Sequence, residues 1–205
     1  MTEKKITEFK RLFKRDWIYL LAIALLFIGS IWLGSYLPRL NPGFAKTIEK
    51  YSLNFFSEMY SSLKGKPYID WVVAIWTNNL KAAGTMILLG VLFPLFPLVS
   101  LVFNGFIIGV LEKTTLTKTG MSSFQVYVSL LPHGIFELTA IFIAVYVGIR
   151  FGLVPYRLLW TFFTTGEYKP VFKEFLKEAG YYCSLAFVLL FVAALIESGA
   201  ILIKG

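Results

Sequence analysis

The chain has one cysteine, one histidine and little charge: only 16% of its 205 residues are Asp, Glu, Lys or Arg. Cys183 alone excludes a disulfide within the chain and any multi-cysteine metal site, and it leaves the redox compartment open. One histidine cannot supply the two imidazoles of a His-Glu-x-x-His zinc helix. A Gly-x-Ser-x-Gly elbow, a phosphate-binding loop and a dinucleotide fingerprint are also absent, which argues against an enzyme. With so few charges against 57% hydrophobic side chains, the composition excludes an ordinary soluble domain and indicates one membrane domain over residues 1–205. The formal charge of +8 then points to cytoplasmic loops and anionic lipid headgroups, not to nucleic acid.

What the chain has is long apolar runs. Trp17 to Leu37 is about long enough to span a bilayer and has no small-residue cleavage site, so it reads as a retained helix and not a signal peptide. Six basic residues from Lys4 to Arg15 precede it, which places the 1–16 tail in the cytoplasm, and Pro38 is expected to end it. After a turn at Asn41-Pro42-Gly43, residues 44–64 repeat Phe44, Ile48, Tyr51, Phe55, Met59 and Leu63 at helical spacing above a polar face. That pattern describes an interfacial amphipathic helix.

The membrane core is expected over 71–152 and 181–203. In the run Ala82 to Leu111, Phe93-Pro94-Leu95-Phe96-Pro97 predicts a break that yields two short helices or a folded-back hairpin. Glu112 to Gly120 reads as a polar connection, with Ser122 or Ser123 capping the next helix. Pro132-His133-Gly134 predicts a second break, and Phe151 to Gly180 reads as a basic extramembrane segment with two short amphipathic pieces. Spans at 17–37, 80–96, 97–112, 123–150 and 181–203 give five crossings, with the N-terminus inside and the C-terminus outside. The basic residues between Arg39 and Lys66 run against that orientation. The expected fold is all-α: a polytopic helical protein of the cell membrane with proline-broken segments.

The candidate site follows from the cost of ionisable groups in lipid, roughly 2.5 to 3.5 kcal/mol each. His133 sits one helical turn before Glu137, so both project from one face, and Glu197 lies inside the last span. Together they supply one nitrogen and two carboxylates, a set that suits a divalent transition metal such as zinc better than calcium. Three uses of these groups stand open: a bound metal, movement of a proton or solute, and hydrogen bonding that locks helices together. Asn78, Asn79 and Asn104 are candidates to line the same cavity, with helix entry the simpler role for Asn78 and Asn79 and helix bridging for Asn104. Pro132 and Gly134 would free backbone groups beside His133. Below His133 and Glu137, the stripe Ala140, Ala144 and Gly148 allows close helix approach, within one chain or in a homodimer.

Asn78-Asn79, Asn104-Gly105 with Gly109, Pro132-His133-Gly134-Ile135-Phe136-Glu137 and Ile196-Glu197, in this order and spacing, resemble the stage II sporulation protein M family over roughly Trp71 to Ala200. The resemblance implies an all-helical membrane protein with a polar cluster in its core. Sporulating members are associated with forespore engulfment, and the family extends to organisms that form no spores. Two functions are therefore expected in competition. In the first, a small solute or cation is bound or moved through the His133, Glu137 and Glu197 cluster, proton-coupled if the carboxyls titrate. In the second, a non-catalytic scaffold recruits partners through basic loops and amphipathic helices.

Overall fold

The computed structural model describes residues 2–120, 122–166 and 168–204; the side chains of residues 2–6, 8, 9, 56, 117–119, 123, 125–133, 168 and 204 lie outside that description. Among the described residues the chain is six helices: α1 (Thr2–Leu40), α2 (Pro42–Leu63), α3 (Tyr68–Leu92), α4 (Phe96–Thr119), α5 (Ser123–Thr164) and α6 (Tyr168–Lys204). Five of them, all but α2, are long and apolar enough to cross a bilayer.

Three boundaries follow directly from local chemistry. Asn41 caps α2, its Oδ1 accepting from the Phe44 amide at 3.0 Å, and Pro42 occupies the first turn where a missing N–H costs nothing. The expected turn at Asn41-Pro42-Gly43 is therefore a helix start. Gly65 and Gly120 close α2 and α4 with φ of 78° and 69°, a backbone region that favours residues without a Cβ. At Phe93 to Leu95 the predicted break is present, and it separates two full-length helices.

Several sequence expectations are corrected. Pro38 lies inside α1, which continues to Leu40, because a proline this close to the end removes only one bond of the last turn. The second span starts at Tyr68, not at residue 80, so Thr77, Asn78 and Asn79 sit in mid-helix and have no helix-entry role. Trp71, Val72 and Ile75, at the start of the expected core segment, are buried. The Glu112 to Gly120 connection is the end of α4, and it stays helical as far as the Gly120 cap. At Pro132 the break is absent: α5 is helical throughout its 42 residues, so the loss of one backbone bond is absorbed by the turns on either side. The two amphipathic pieces expected between Phe151 and Gly180 are extensions of α5 and α6, joined around Thr165 and Gly166.

Glycines set the bundle's geometry. Gly105 faces the backbone of Phe27 and the Ser30 hydroxyl, and Gly109 faces the Ile31 carbonyl, so α1 and α4 run side by side in the same direction. Gly148 meets the Met86 carbonyl and Gly152 meets Gly90, which places α3 and α5 in parallel contact. A Cβ at any of these positions would overlap the neighbouring backbone. Helix α6 returns antiparallel to α5, with Tyr182 beside Tyr146 and Phe175 beside Phe151. Ala140 and Ala144 of the predicted stripe are fully buried, with Leu101, Ile143, Val145 and Leu190 around them. The outward faces of the spans are apolar, as on α1 with Leu25, Ile28, Trp32 and Leu33, which suits contact with lipid tails.

Helix α2 packs through Ala45 and Ile48 on Leu37, Phe106, Ile107 and Val110. Of its predicted apolar stripe, Ile48 and Leu63 are buried, while Phe44, Tyr51 and Phe55 remain exposed, as an interfacial helix requires. The five crossings alternate in direction. One end of the bundle therefore collects Arg15 with the α3–α4 and α5–α6 connections, and is called the proximal end below. The distal end collects α2 and the starts of α3 and α5.

Candidate functional site

The distal half of the bundle holds two of the three predicted groups. Glu137 on α5 and Glu197 on α6 are half-buried. Neither carboxylate has a hydrogen bond or ion pair among the described residues. His133 occupies its expected place in α5, one turn before Glu137, but its side chain lies outside the described residues, as does that of Pro132. Among the described residues no group of three His, Cys, Asp or Glu side chains is placed to hold a metal.

The same half of the bundle holds buried polar atoms without partners among the described residues. Trp71 Nε1, Trp76 Nε1, Asn79 Nδ2 and Ser198 Oγ are enclosed and make no hydrogen bond there. Trp71, Asn79 and Ser198 are 2%, 8% and 0% exposed. The register of the helices explains this concentration. Parallel packing of α3 on α5 through Gly90, Gly148 and Gly152 sets Thr77 to Asn79 level with Glu137. Antiparallel α6 crosses the start of α3, where the Tyr68 hydroxyl donates to the Leu195 carbonyl at 2.8 Å, two residues before Glu197. A donor left unpaired inside a protein costs about 1–3 kcal/mol.

Asn78 is exposed on α3, and Gly134 has open space where a Cβ would stand. Asn104 is exposed on α4 and makes no hydrogen bond among the described residues, so it bridges no helices there. Gly105 and Gly109, its neighbours, carry the close contact instead.

The proximal end holds a second polar group that the sequence reading missed. Arg15 donates to both carboxylate oxygens of Asp16, at 2.7 and 2.8 Å, and to both of Glu178, at 2.8 and 2.9 Å. Arg150 pairs with Glu178 at 2.7 Å and stacks between the rings of Tyr146 and Phe175. The Tyr182 hydroxyl donates to Asp16 at 2.8 Å. Asp16 and Glu178, at 1% and 4% exposure, are thus buried charges with full sets of donors, the condition under which an interior ion pair is tolerated. The network ties α1, α5 and α6 together. Its signal in the sequence was opposite charges at the ends of three long apolar runs, but nothing there said which would meet.

Together these features define a multi-pass α-helical membrane protein with a saturated ionic tie at one end and an unsaturated polar region at the other. The Stage II sporulation protein M family matches residues 23–199, and the chain belongs to that family. An uncharacterized protein of Methanocaldococcus jannaschii is 33% identical over 125 residues, covering 60% of this chain and 67% of the relative. A second uncharacterized protein of that organism is 29% identical over 209 residues, covering 98% of this chain and 90% of the relative. No solved structure matches the chain.

Proposed function

We propose that this protein sits in the cell membrane and binds or passes a small solute or cation through the polar region between α3, α5 and α6. The observation that carries this reading is the set of buried polar atoms of Trp71, Trp76, Asn79 and Ser198 with no partner among the described residues, in the half of the bundle that also holds Glu137 and Glu197. A carboxylate inside an apolar bundle is costly as a bare charge, and a bound cation offsets that cost. The N–H groups of Trp76 and Asn79 then serve oxygen atoms of a hydrated or oxygen-bearing guest. With His133 one turn from Glu137, the donor set accommodates a divalent transition metal such as zinc as the guest.

Flux of a panel of monovalent and divalent cations into proteoliposomes tests the reading. Native protein is expected to carry at least one of them, and Glu137→Gln and Glu197→Gln to abolish that flux while the variants still fold and reconstitute. Unchanged flux in both variants would remove the proposal. Metal analysis of purified protein, with and without His133→Ala, decides whether a transition metal is the guest.

A further inference from the structure

A cleft near the proximal end shares Arg150 and Phe175 with the ionic tie and adds Arg157, which the tie does not use. Arg150, Leu153, Val154 and Arg157 of α5 and Val171 and Phe175 of α6 line a cavity of about 190 Å³. The two arginines are seven residues apart, two helical turns, and so lie on one face of α5, roughly 10 Å apart along its axis. Between and opposite them the walls are aliphatic and aromatic. The base of the cleft is charge-balanced, because Asp16 and Glu178 are taken up by Arg15 and Arg150. Arg157 is exposed and has no acidic partner among the described residues, so the cleft carries a net positive charge at its outer rim.

The surroundings fix the depth of this rim. Beyond Arg157, toward the α5–α6 turn, Trp160, Phe162 and Phe163 are 73%, 54% and 79% exposed, and Lys169 and Lys173 stand across on α6. Exposed rings mixed with basic side chains at the end of a span are the composition of the headgroup layer. The same mixture occurs on α1, where Lys10, Phe13, Lys14 and Trp17 surround a shallow concavity at this end of the bundle. A molecule that fits the cleft therefore has a phosphate at headgroup depth and hydrocarbon running toward the bilayer interior.

We infer that the α5–α6 cleft is a binding site for one anionic phospholipid, its phosphate held by Arg157 with Arg150 below and its acyl chain lying along Leu153, Val154, Val171 and Phe175. Basic pockets between helices at the cytoplasmic face bind acidic headgroups in this manner. Free phosphate would satisfy the arginines but leave the apolar walls without an occupant.

The test uses the full chain in mixed micelles of phosphatidylglycerol and phosphatidylcholine, with bound lipid counted by native mass spectrometry. Native protein is expected to retain one phosphatidylglycerol in preference to phosphatidylcholine. Arg157→Ala should lower that retention about fivefold, the loss of one surface cation's share of headgroup attraction. Arg157 is exposed, so its removal leaves the fold in place; Arg157→Lys should keep most of the binding. Val171→Trp, which fills the cleft without changing charge, should also release the lipid. Equal retention of the two lipids, no change in Arg157→Ala, or displacement of phosphatidylglycerol by millimolar inorganic phosphate would each overturn the assignment.

Discussion

The two ends of this bundle treat buried polarity in opposite ways. At the proximal end Asp16 and Glu178 are nearly inaccessible, and their oxygens accept from Arg15, Arg150 and Tyr182 at 2.7–2.9 Å. At the distal end Glu137 and Glu197 are half-buried without a hydrogen bond or ion pair among the described residues, and Trp71, Trp76, Asn79 and Ser198 keep polar atoms that have no partner there. A saturated network holds helices in register. An unsaturated one is costly to the fold, and under the proposed function its groups serve a bound guest. The contrast falls within a protein whose charged residues are few.

The largest effect expected from breaking the proximal end is that of Glu178→Ala. It strands Arg150 and half of the Arg15 contacts beside a buried Asp16, and should cost about 3–5 kcal/mol in reversible unfolding in detergent micelles. A loss below about 1 kcal/mol would mean that the network is solvated and does not tie the helices. Tyr182→Phe removes a single donor to a charged acceptor. About 1.5–3 kcal/mol should disappear in the same assay, with the helix content by circular dichroism unchanged.

Gly148→Ala probes the packing that aligns the two ends. Its new methyl group would press on the Met86 carbonyl and Pro97, costing about 1–3 kcal/mol, and it should reduce flux by shifting α3 against α5. A variant as stable as the native chain would show that the interface yields. The smallest effect belongs to Glu137→Gln and Glu197→Gln, since neither carboxylate has a hydrogen bond among the described residues. Each should shift stability by less than about 1 kcal/mol, toward the more stable side, because a charge inside an apolar bundle is removed. A loss comparable to that of Glu178→Ala would make the two ends alike and erase the contrast.

Parts of this arrangement were legible in the sequence. The number of spans followed from apolar runs, the break at Phe93 to Leu95 from its prolines, and close contacts at Gly105, Gly109 and Gly148 from small residues on one helical face. The interruption expected at Pro132 is not there, because one proline removes one bond and a long helix tolerates that. Likewise the polar step at Thr77 to Asn79 looked like a helix boundary, yet it lies inside α3, where flanking apolar residues on the same face find partners on α5 and α6. Arg15 was read as a topological signal, since charge near a span end has that meaning whether or not it is paired.

Composition and periodicity by themselves determined that the chain is a set of membrane helices with ionisable groups inside them. The transfer cost of side chains into lipid acts residue by residue and needs no partner to be known. Which acids meet arginines was decided by tertiary structure. That outcome depends on the register of α1 on α4 and of α3 on α5, set by glycine contacts between residues roughly 60–80 positions apart, and on the antiparallel docking of α6 through Phe175 and Tyr182.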